Sequence, residues 1–411
     1  MAHGPRIVDL DRLVIRPGSG WARLPLVAGG VGALFTVVSI VLARSSPEDA
    51  KQFFHSWLVA VVFFLCIGLG SLFFVLIHHA TKAGWGVVVR RLAENLACAV
   101  PLMAVLFVPV VALGMYDLFH WTHADAVADD RLLQVKEPWL NETGFWLRTA
   151  IYFAVWSGLA LYYRSASRRQ DESGDEALSR RMARFSPVGV FLFAVTLSFA
   201  GFDWLMSLEP HWYSTMFGVY FFAGTVISAF AALTVLTLSL DFTGHFRGVI
   251  TGEHLHDLGK LLFAFTVFWA YIAFSQFFLI WYANIPEETN WFLSRLHGTD
   301  LNPADWRPAT MLLAIGHFAV PFFFLMPRTI KRNRVLLLIG ALWMLAMHLW
   351  DVFWLVMPNL HREMTFSLLD LTSLLGVGGL FIAMVSWLMG RGALLPTRDP
   401  RLVESLAFEN I

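Results

Sequence analysis

The chain has 411 residues, of which 57% are hydrophobic and 15% charged, with 17 Trp, 37 Phe and a formal net charge of zero. A soluble domain is about 45–50% apolar and about 25% charged. This composition therefore excludes an ordinary soluble enzyme, and no nucleic-acid partner is expected.

A membrane span needs about 20 mostly apolar residues. Ten stretches qualify: 24–43, 56–79, 96–116, 145–163, 187–207, 215–240, 261–283, 310–326, 335–356 and 369–389. The expected fold class is an all-α integral membrane protein with ten transmembrane helices. Residues 1–22 read as a cytoplasmic lead containing Pro5, Pro17, Gly18 and Gly20. That lead is polar and basic, and no small-residue cleavage site follows a short apolar core, so the first span reads as a retained anchor. The second span opens at His55-Ser56-Trp57 and closes at His78 and His79. Pro101 and Pro109 kink the third, which closes at Asp117 and His120, and Arg148 lies just inside the fourth. The link 164–185 is the longest cytoplasmic connection, and its mixed charges read as a solvated helical turn or two. The sixth span opens at His211-Trp212-Tyr213-Ser214, and the seventh is entered through Glu253-His254-Leu255-His256-Asp257-Leu258-Gly259-Lys260. Ser275 and Gln276 sit mid-way along the seventh, His317 and Pro321 in the eighth, and residues 390–411 form a tail.

Two spans end alike. The fifth ends Phe202-Asp203-Trp204-Leu205-Met206-Ser207-Leu208-Glu209-Pro210, and the ninth ends Trp350-Asp351-Val352-Phe353-Trp354-Leu355-Val356-Met357-Pro358. A carboxylate inside a membrane helix is costly and is a functional-site hypothesis by default. The echo suggests a duplication, with spans two to five and six to nine as two four-helix bundles and the first and tenth flanking. The His/Trp/Ser openings of spans two and six fall at a compatible offset.

Ten spans put both termini on one side. That side carries 22 Arg and Lys, against 7 on the other with Arg148 left out. Cytoplasmic loops carry the positive excess, so both termini are expected in the cytoplasm.

His348 precedes Asp351 by three residues and shares its helix face. Histidine titrates near neutrality, so the pair reads either as a proton relay or as a hydrogen-bonded packing contact. A route can be drawn from these residues. His254, Asp257 and Lys260 would gather protons at the cytoplasmic entrance, with Lys260 holding Asp257 at i, i+3. Ser275 and Gln276 would pass them on, and Asp203 or the His348–Asp351 pair would stand near the outer exit. Helix-end snorkelling and polar packing account for the same residues. Trp57, Trp121, Trp204, Trp281 and Trp354 read as an interfacial belt.

The only cysteines, Cys66 and Cys98, form no C-x-x-C, which excludes a covalent c-type haem and a cysteine-ligated iron–sulfur cluster. The pairs His317/His348 and His55/His79 invite a haem b reading, but no convincing ligand set emerges, and the chain is expected to bind no metal or haem of its own.

Long runs resemble a known family. They are Phe202 to Gly218, Phe53-Phe54-His55-Ser56-Trp57-Leu58-Val59-Ala60, His254 to Lys260, and Phe274-Ser275-Gln276-Phe277 through Glu288. Together they are similar to the ActF-type, NrfD-like (polysulfide-reductase-like) membrane subunits of bacterial alternative complex III, over roughly residues 20–390. The resemblance implies a multi-pass subunit of the bacterial inner membrane within a quinol:electron-acceptor oxidoreductase. It implies c haems and iron–sulfur clusters in partner chains, and quinone or lipid as the small molecules nearby. The implied partners are the homologous NrfD-like subunit ActC, an iron–sulfur subunit, multihaem cytochrome c subunits, small membrane-anchored subunits and the menaquinone or ubiquinone pool. It also implies two four-helix bundles within 23–389, and a scaffolding and proton-translocating role rather than that of the redox catalyst. A stand-alone secondary transporter, or the quinol-oxidising subunit itself, are the alternatives.

Overall fold

The computed structural model describes residues 10–299 and 302–409. Residues 1–9 of the expected lead, and residues 410–411 of the tail, lie outside the described residues. The described chain is almost wholly helical. Its principal helices are α1 (Gly20–Ala43), α2 (Pro47–Ala80), α3 (Val87–Ala112), α4 (Glu142–Ser173) and α5 (Glu176–Trp204). They continue with α6 (Phe217–Phe242), α7 (Gly252–Ala283), α8 (Arg307–Leu325), α9 (Arg334–Val356) and α10 (Leu368–Met389). Among the described residues, nine helices are long and apolar enough to cross a membrane, all of them except α4. Helix α4 has the length, at 32 residues, but carries Arg148, Arg164, Arg168 and Arg169.

Local sequence sets the ends. Side-chain caps start α1 (Ser19), α2 (Ser46, with Pro47 in the first turn), α4 (Asn141), α5 (Asp175), α7 (Thr251) and α9 (Asn333). Each supplies an oxygen to a backbone N–H that the helix leaves orphaned. Helix α3 is interrupted at Cys98–Ala99, where Pro101 removes a donor from the helical ladder.

The expected long link 164–185 does not exist as a loop. Helix α4 runs to Ser173 and α5 starts at Glu176, so the turn is Gly174 at φ 71° followed by Asp175. Helix-compatible charges, such as the Glu176–Arg180 pair at 3.6 Å, prolong both helices. Gly174 then ends α4 because it adopts the left-handed conformation cheaply. The hairpin is only partly solvated. Arg91 Nη2 donates to Asp171 Oδ2 at 2.7 Å and to Ser167 Oγ at 2.9 Å.

Helix α2 is the hub. It packs against α1, α3, α4, α5, α6, α9 and α10, which is why it is buried along most of its 34 residues. Helices α2–α5 pack among themselves, as do α6–α9. Helices α1 and α10 lie together through small residues: a Cβ at Gly379 would meet Gly32 Cα at 2.6 Å, an approach typical of membrane helix pairs.

The lead and the tail meet at one end of the molecule, where Leu394 N donates to Leu13 O at 2.8 Å. There the tail is tied down by Asp399 to Arg90 at 2.6 Å and by Ser405 Oγ donating to Trp85 O at 2.7 Å. The tryptophan belt is not observed as expected. Of its five tryptophans, Trp57, Trp121, Trp204 and Trp354 are buried inside the chain, and Trp281, 62% exposed, faces outward. The interior gives these rings aromatic neighbours: Trp204 has Phe107 at 4.4 Å and Phe153 at 5.4 Å between centroids.

Candidate functional site

Both aspartates of the sequence echo are buried, Asp203 at 0% and Asp351 at 1% exposure, but their surroundings differ. Asp203 ends α5 facing α4. Its Oδ2 accepts from Arg148 Nε at 2.8 Å and Tyr152 Oη at 2.7 Å. Its Oδ1 accepts from Arg148 Nη2 at 3.0 Å and Trp139 Nε1 at 2.9 Å. The Arg148 guanidinium also lies 4.2 Å from the Trp139 ring centre. This is a saturated, bidentate ion pair of the strong kind.

Asp351 sits where four helices converge. Tyr220 of α6 donates its hydroxyl to Oδ1, and Trp269 Nε1 of α7 donates to Oδ2 at 3.1 Å. His348, one turn earlier on α9, places Nδ1 3.9 Å from Oδ2. From α8, His317 stacks on Trp269 with ring centres 3.9 Å apart. His317 lies in a π-helical stretch, Leu313–Ala319; such wide turns recur at functional sites. Gly224 makes room for His348, since a Cβ there would lie 2.8 Å from Cε1. Among the described residues no lysine or arginine pairs with Asp351, and none of the four ring nitrogens of His317 and His348 has a hydrogen-bond partner.

The two centres share donor types, a tyrosine hydroxyl and an indole N–H. The donors do not come from equivalent helices: Tyr152 is on α4, whereas Tyr220 is on α6. The difference that matters chemically is the cation.

His317, His348 and Asp351 each offer a donor atom within 4.8 Å of the others, a set that could hold a divalent metal ion. Both carboxylate oxygens already accept from Tyr220 and Trp269, which makes the cluster a hydrogen-bonding centre as it stands. The second haem pair is ruled out by geometry. His55 and His79 lie on one helix, 24 residues and about 36 Å apart.

A cavity of about 700 Å³ adjoins the Asp351 centre, walled by Phe217, Tyr220, Trp269, Gln276, Arg295 and Trp354 among others. Its wall is aromatic and apolar. Gln276 Oε1 is buried there without a partner, and Ser275 beside it is half-buried. Arg295 is held by Trp291 O at 3.1 Å and Leu355 O at 3.0 Å, with its guanidinium 3.8 Å from the Trp291 ring centre. Burial pushes this guanidinium down to about 9, opposed by Glu209.

The remaining candidates are not at the centre. Lys260 and Asp257 pair with each other, and His254 is committed to structure, capping α7 at Thr251 and reaching Ser405 O at 2.9 Å. They precede Trp269 by nine residues or more, about 14 Å along the helix. Ser275 and Gln276 lie beyond Trp269 on α7, so the order differs from the expected route. The Asp351 centre stands between the Glu253–Lys260 entrance and Gln276, not after it.

Residues absent from the sequence expectations were Tyr220, Trp269, Tyr152, Trp139 and the pairing role of Arg148. One signal was readable: an arginine inside a span needs a carboxylate, and Asp203 ends the next span. Tyr220 and Trp269 carry no such signal, because aromatic residues crowd every helix here.

No protein-family model matches the chain, and no curated protein matches its sequence.

Proposed function

We propose that the chain is an integral subunit of a quinol-oxidising electron-transfer complex of the alternative complex III type, in a bacterial cytoplasmic membrane, and that Asp351 is its proton-handling centre. The observation that carries the proton role is the asymmetry between the aspartates. Asp203 is neutralised by Arg148, whereas Asp351 is buried among neutral donors and two imidazoles with open nitrogens. A membrane-buried carboxylate without a cation is expensive, and structure alone does not repay it. His348 and His317 are positioned to exchange a proton with it. Asp203 then serves packing, and Gln276 extends the polar line toward the outer side.

In this reading α1–α10 all cross the membrane and both termini are cytoplasmic. Helix α4 spans because the one charge within its apolar stretch 145–163, Arg148 near its start, is cancelled inside the protein. Helices α2–α5 and α6–α9 are the two four-helix bundles, and their mutual packing supports this. The c haems and iron–sulfur clusters belong to partner chains, and the outer helix faces meet a homologous subunit. The secondary-transporter alternative draws on the cavity beside Tyr220 and Trp269.

Native purification tests the subunit reading. Co-migration with c-haem and iron–sulfur chains supports it, and a chain that migrates alone and moves a solute in liposomes refutes it. The proton role is tested in liposomes by Asp351→Asn. A lowered proton-to-electron ratio supports it, and an unchanged ratio at unchanged quinol turnover removes it.

A further inference from the structure

Away from the Asp351 centre, at the end of the molecule where lead and tail meet, a second cavity of about 280 Å³ has a different wall. It is formed by the end of α2, the start of α5 and the returning tail. Its basic residues are His78, His79, Lys82, Arg90, Arg180 and Arg401, and its acids are Glu176 and Asp399. The acids are already matched: Asp399 by Arg90 at 2.6 Å, and Glu176 by Arg180 at 3.6 Å. Lys82 and Arg401 have no carboxylate within ion-pair distance among the described residues. The two histidines give an independent sign. Both are buried, and the Nε2 atom of each lacks a hydrogen-bond partner. Buried polar groups are normally paired, so two imidazoles each with an unpaired Nε2, in one pocket with two cations that have no carboxylate partner, describe a site short of an anion.

We propose that this pocket binds a phosphate group, with the head of an anionic phospholipid as the source. Basic pockets between membrane helices on the positive side take such heads. The pocket has the position for it, at the mouth of the α2–α5 crevice on the end of the chain richest in arginine. Lys82 and Arg401 would supply charge, and the imidazoles would supply directional donors. Bound there, the lipid would bridge α2, α5 and the tail, the last of which is otherwise held at α3 by the Arg90–Asp399 pair.

The test uses the full-length chain, delipidated in zwitterionic detergent, with thermal unfolding and binding isotherms as readouts. The probes are phosphatidylglycerol, phosphatidylcholine and inorganic phosphate. Phosphatidylglycerol is expected to raise the unfolding temperature, and Lys82→Asn and Arg401→Gln are each expected to weaken its binding about fivefold. Lys82 is exposed and sits at φ 54°, a conformation that asparagine tolerates, so Lys82→Asn keeps the fold even if Arg401→Gln loosens the tail. A matching, Lys82-dependent shift with inorganic phosphate alone supports the site and assigns it to a soluble anion. Equal stabilisation by phosphatidylcholine, or phosphatidylglycerol binding unchanged in Lys82→Asn, overturns the proposal.

Discussion

Arg148 grips Asp203 with two nitrogens, Nε at 2.8 Å and Nη2 at 3.0 Å, and no arginine or lysine among the described residues does the same for Asp351. One sequence motif thus supports two electrostatic solutions. In the first group of helices the carboxylate is cancelled on the spot. In the second it is left to hydrogen bonds, inside a ring of four helices.

Removing the cation from the first centre should therefore be severe. Arg148→Met leaves a buried carboxylate with only Tyr152 and Trp139, and breaking a buried pair from one side costs about 3 kcal/mol or more. Adding Asp203→Asn to Arg148→Met should recover much of that loss, because the uncompensated charge is gone. Thermal unfolding of the single and double variants in detergent decides. A double variant no more stable than Arg148→Met would show that the pair is not what stabilises this site.

The second centre should respond the other way. In Asp351→Asn the amide oxygen can still accept from Trp269 and the amide nitrogen can donate to Tyr220 Oη, so each side chain keeps a partner; the Tyr220 hydroxyl proton loses its acceptor, a cost offset by removal of a buried charge. Stability should change by about 1 kcal/mol or less, while proton coupling is lost. A large fall in unfolding temperature for Asp351→Asn would reassign the residue to packing.

The helices and their polar centres were legible in the sequence to different depths. Apolar runs locate every principal helix, and the paired Asp-to-Pro endings point to both buried carboxylates. The ends of α4 and α5 lie further along the chain than the sequence suggests, because mixed charges in 164–185 read as a solvated connection with a helical turn or two, whereas length, helix propensity and the buried partner Arg91 extend both helices. The tryptophans were misplaced for a related reason. Position near a span end suggests an interface, but in a chain with 17 Trp the interior needs large rings too. What separates Asp203 from Asp351 is tertiary. It depends on which helix faces each aspartate, and spacing along one chain does not encode that.

Helix α2 should be intolerant of side chains at its crossing with α6. A Cβ at Gly70 would collide with Thr225 O and lie 2.6 Å from Ala229 Cβ. Backbone, not a flexible side-chain tip, is what it meets, so Gly70→Ala must push the two helices apart. Overpacking of this kind costs about 1–3 kcal/mol. An unfolding temperature equal to that of the parent chain would mean that the crossing has room for a methyl group.

A pH effect follows from the loop between α9 and α10. His361 Nε2 donates to Gln52 Oε1 at 2.5 Å, and Gln52 Nε2 and Ser56 Oγ both donate to Asp370 Oδ1, at 3.0 Å and 2.5 Å. Burial lowers the His361 imidazole below its usual value, with Asp370 opposing. The unfolded chain then binds more protons at this position than the folded one, so stability rises with pH across the window. The contribution is complete above the ordinary histidine value of about 6.5 and is lost as pH falls from there toward the lower folded value. His361→Gln should lose less unfolding temperature than the parent between pH 7.5 and 5.5, roughly the span over which an ordinary histidine titrates. Parallel pH profiles for the two proteins would contradict this.

Arg295 offers the least intuitive outcome. Its guanidinium bonds Trp291 O and Leu355 O and stacks on the Trp291 ring, so truncation threatens to orphan both carbonyls. It does not, because Trp291 O also accepts from Ser294 Oγ at 2.9 Å and Leu355 O from Asn359 Nδ2 at 3.2 Å. The charge itself is buried and has no carboxylate at ion-pair distance among the described residues, so it carries a desolvation cost that the stacking and hydrogen bonds only offset. Arg295→Met removes that cost, keeps most of the volume against Trp291 and Trp354, and should change stability by about 1 kcal/mol or less. Arg295→Lys keeps the buried charge but loses the planar fork that spans two carbonyls and stacks on a ring, and should cost about 2 kcal/mol. The apolar substitution should thus outrank the charge-conserving one in thermal unfolding. The reverse order would mean that Arg295 is needed as a cation, with Glu209 as its long-range partner across the loop.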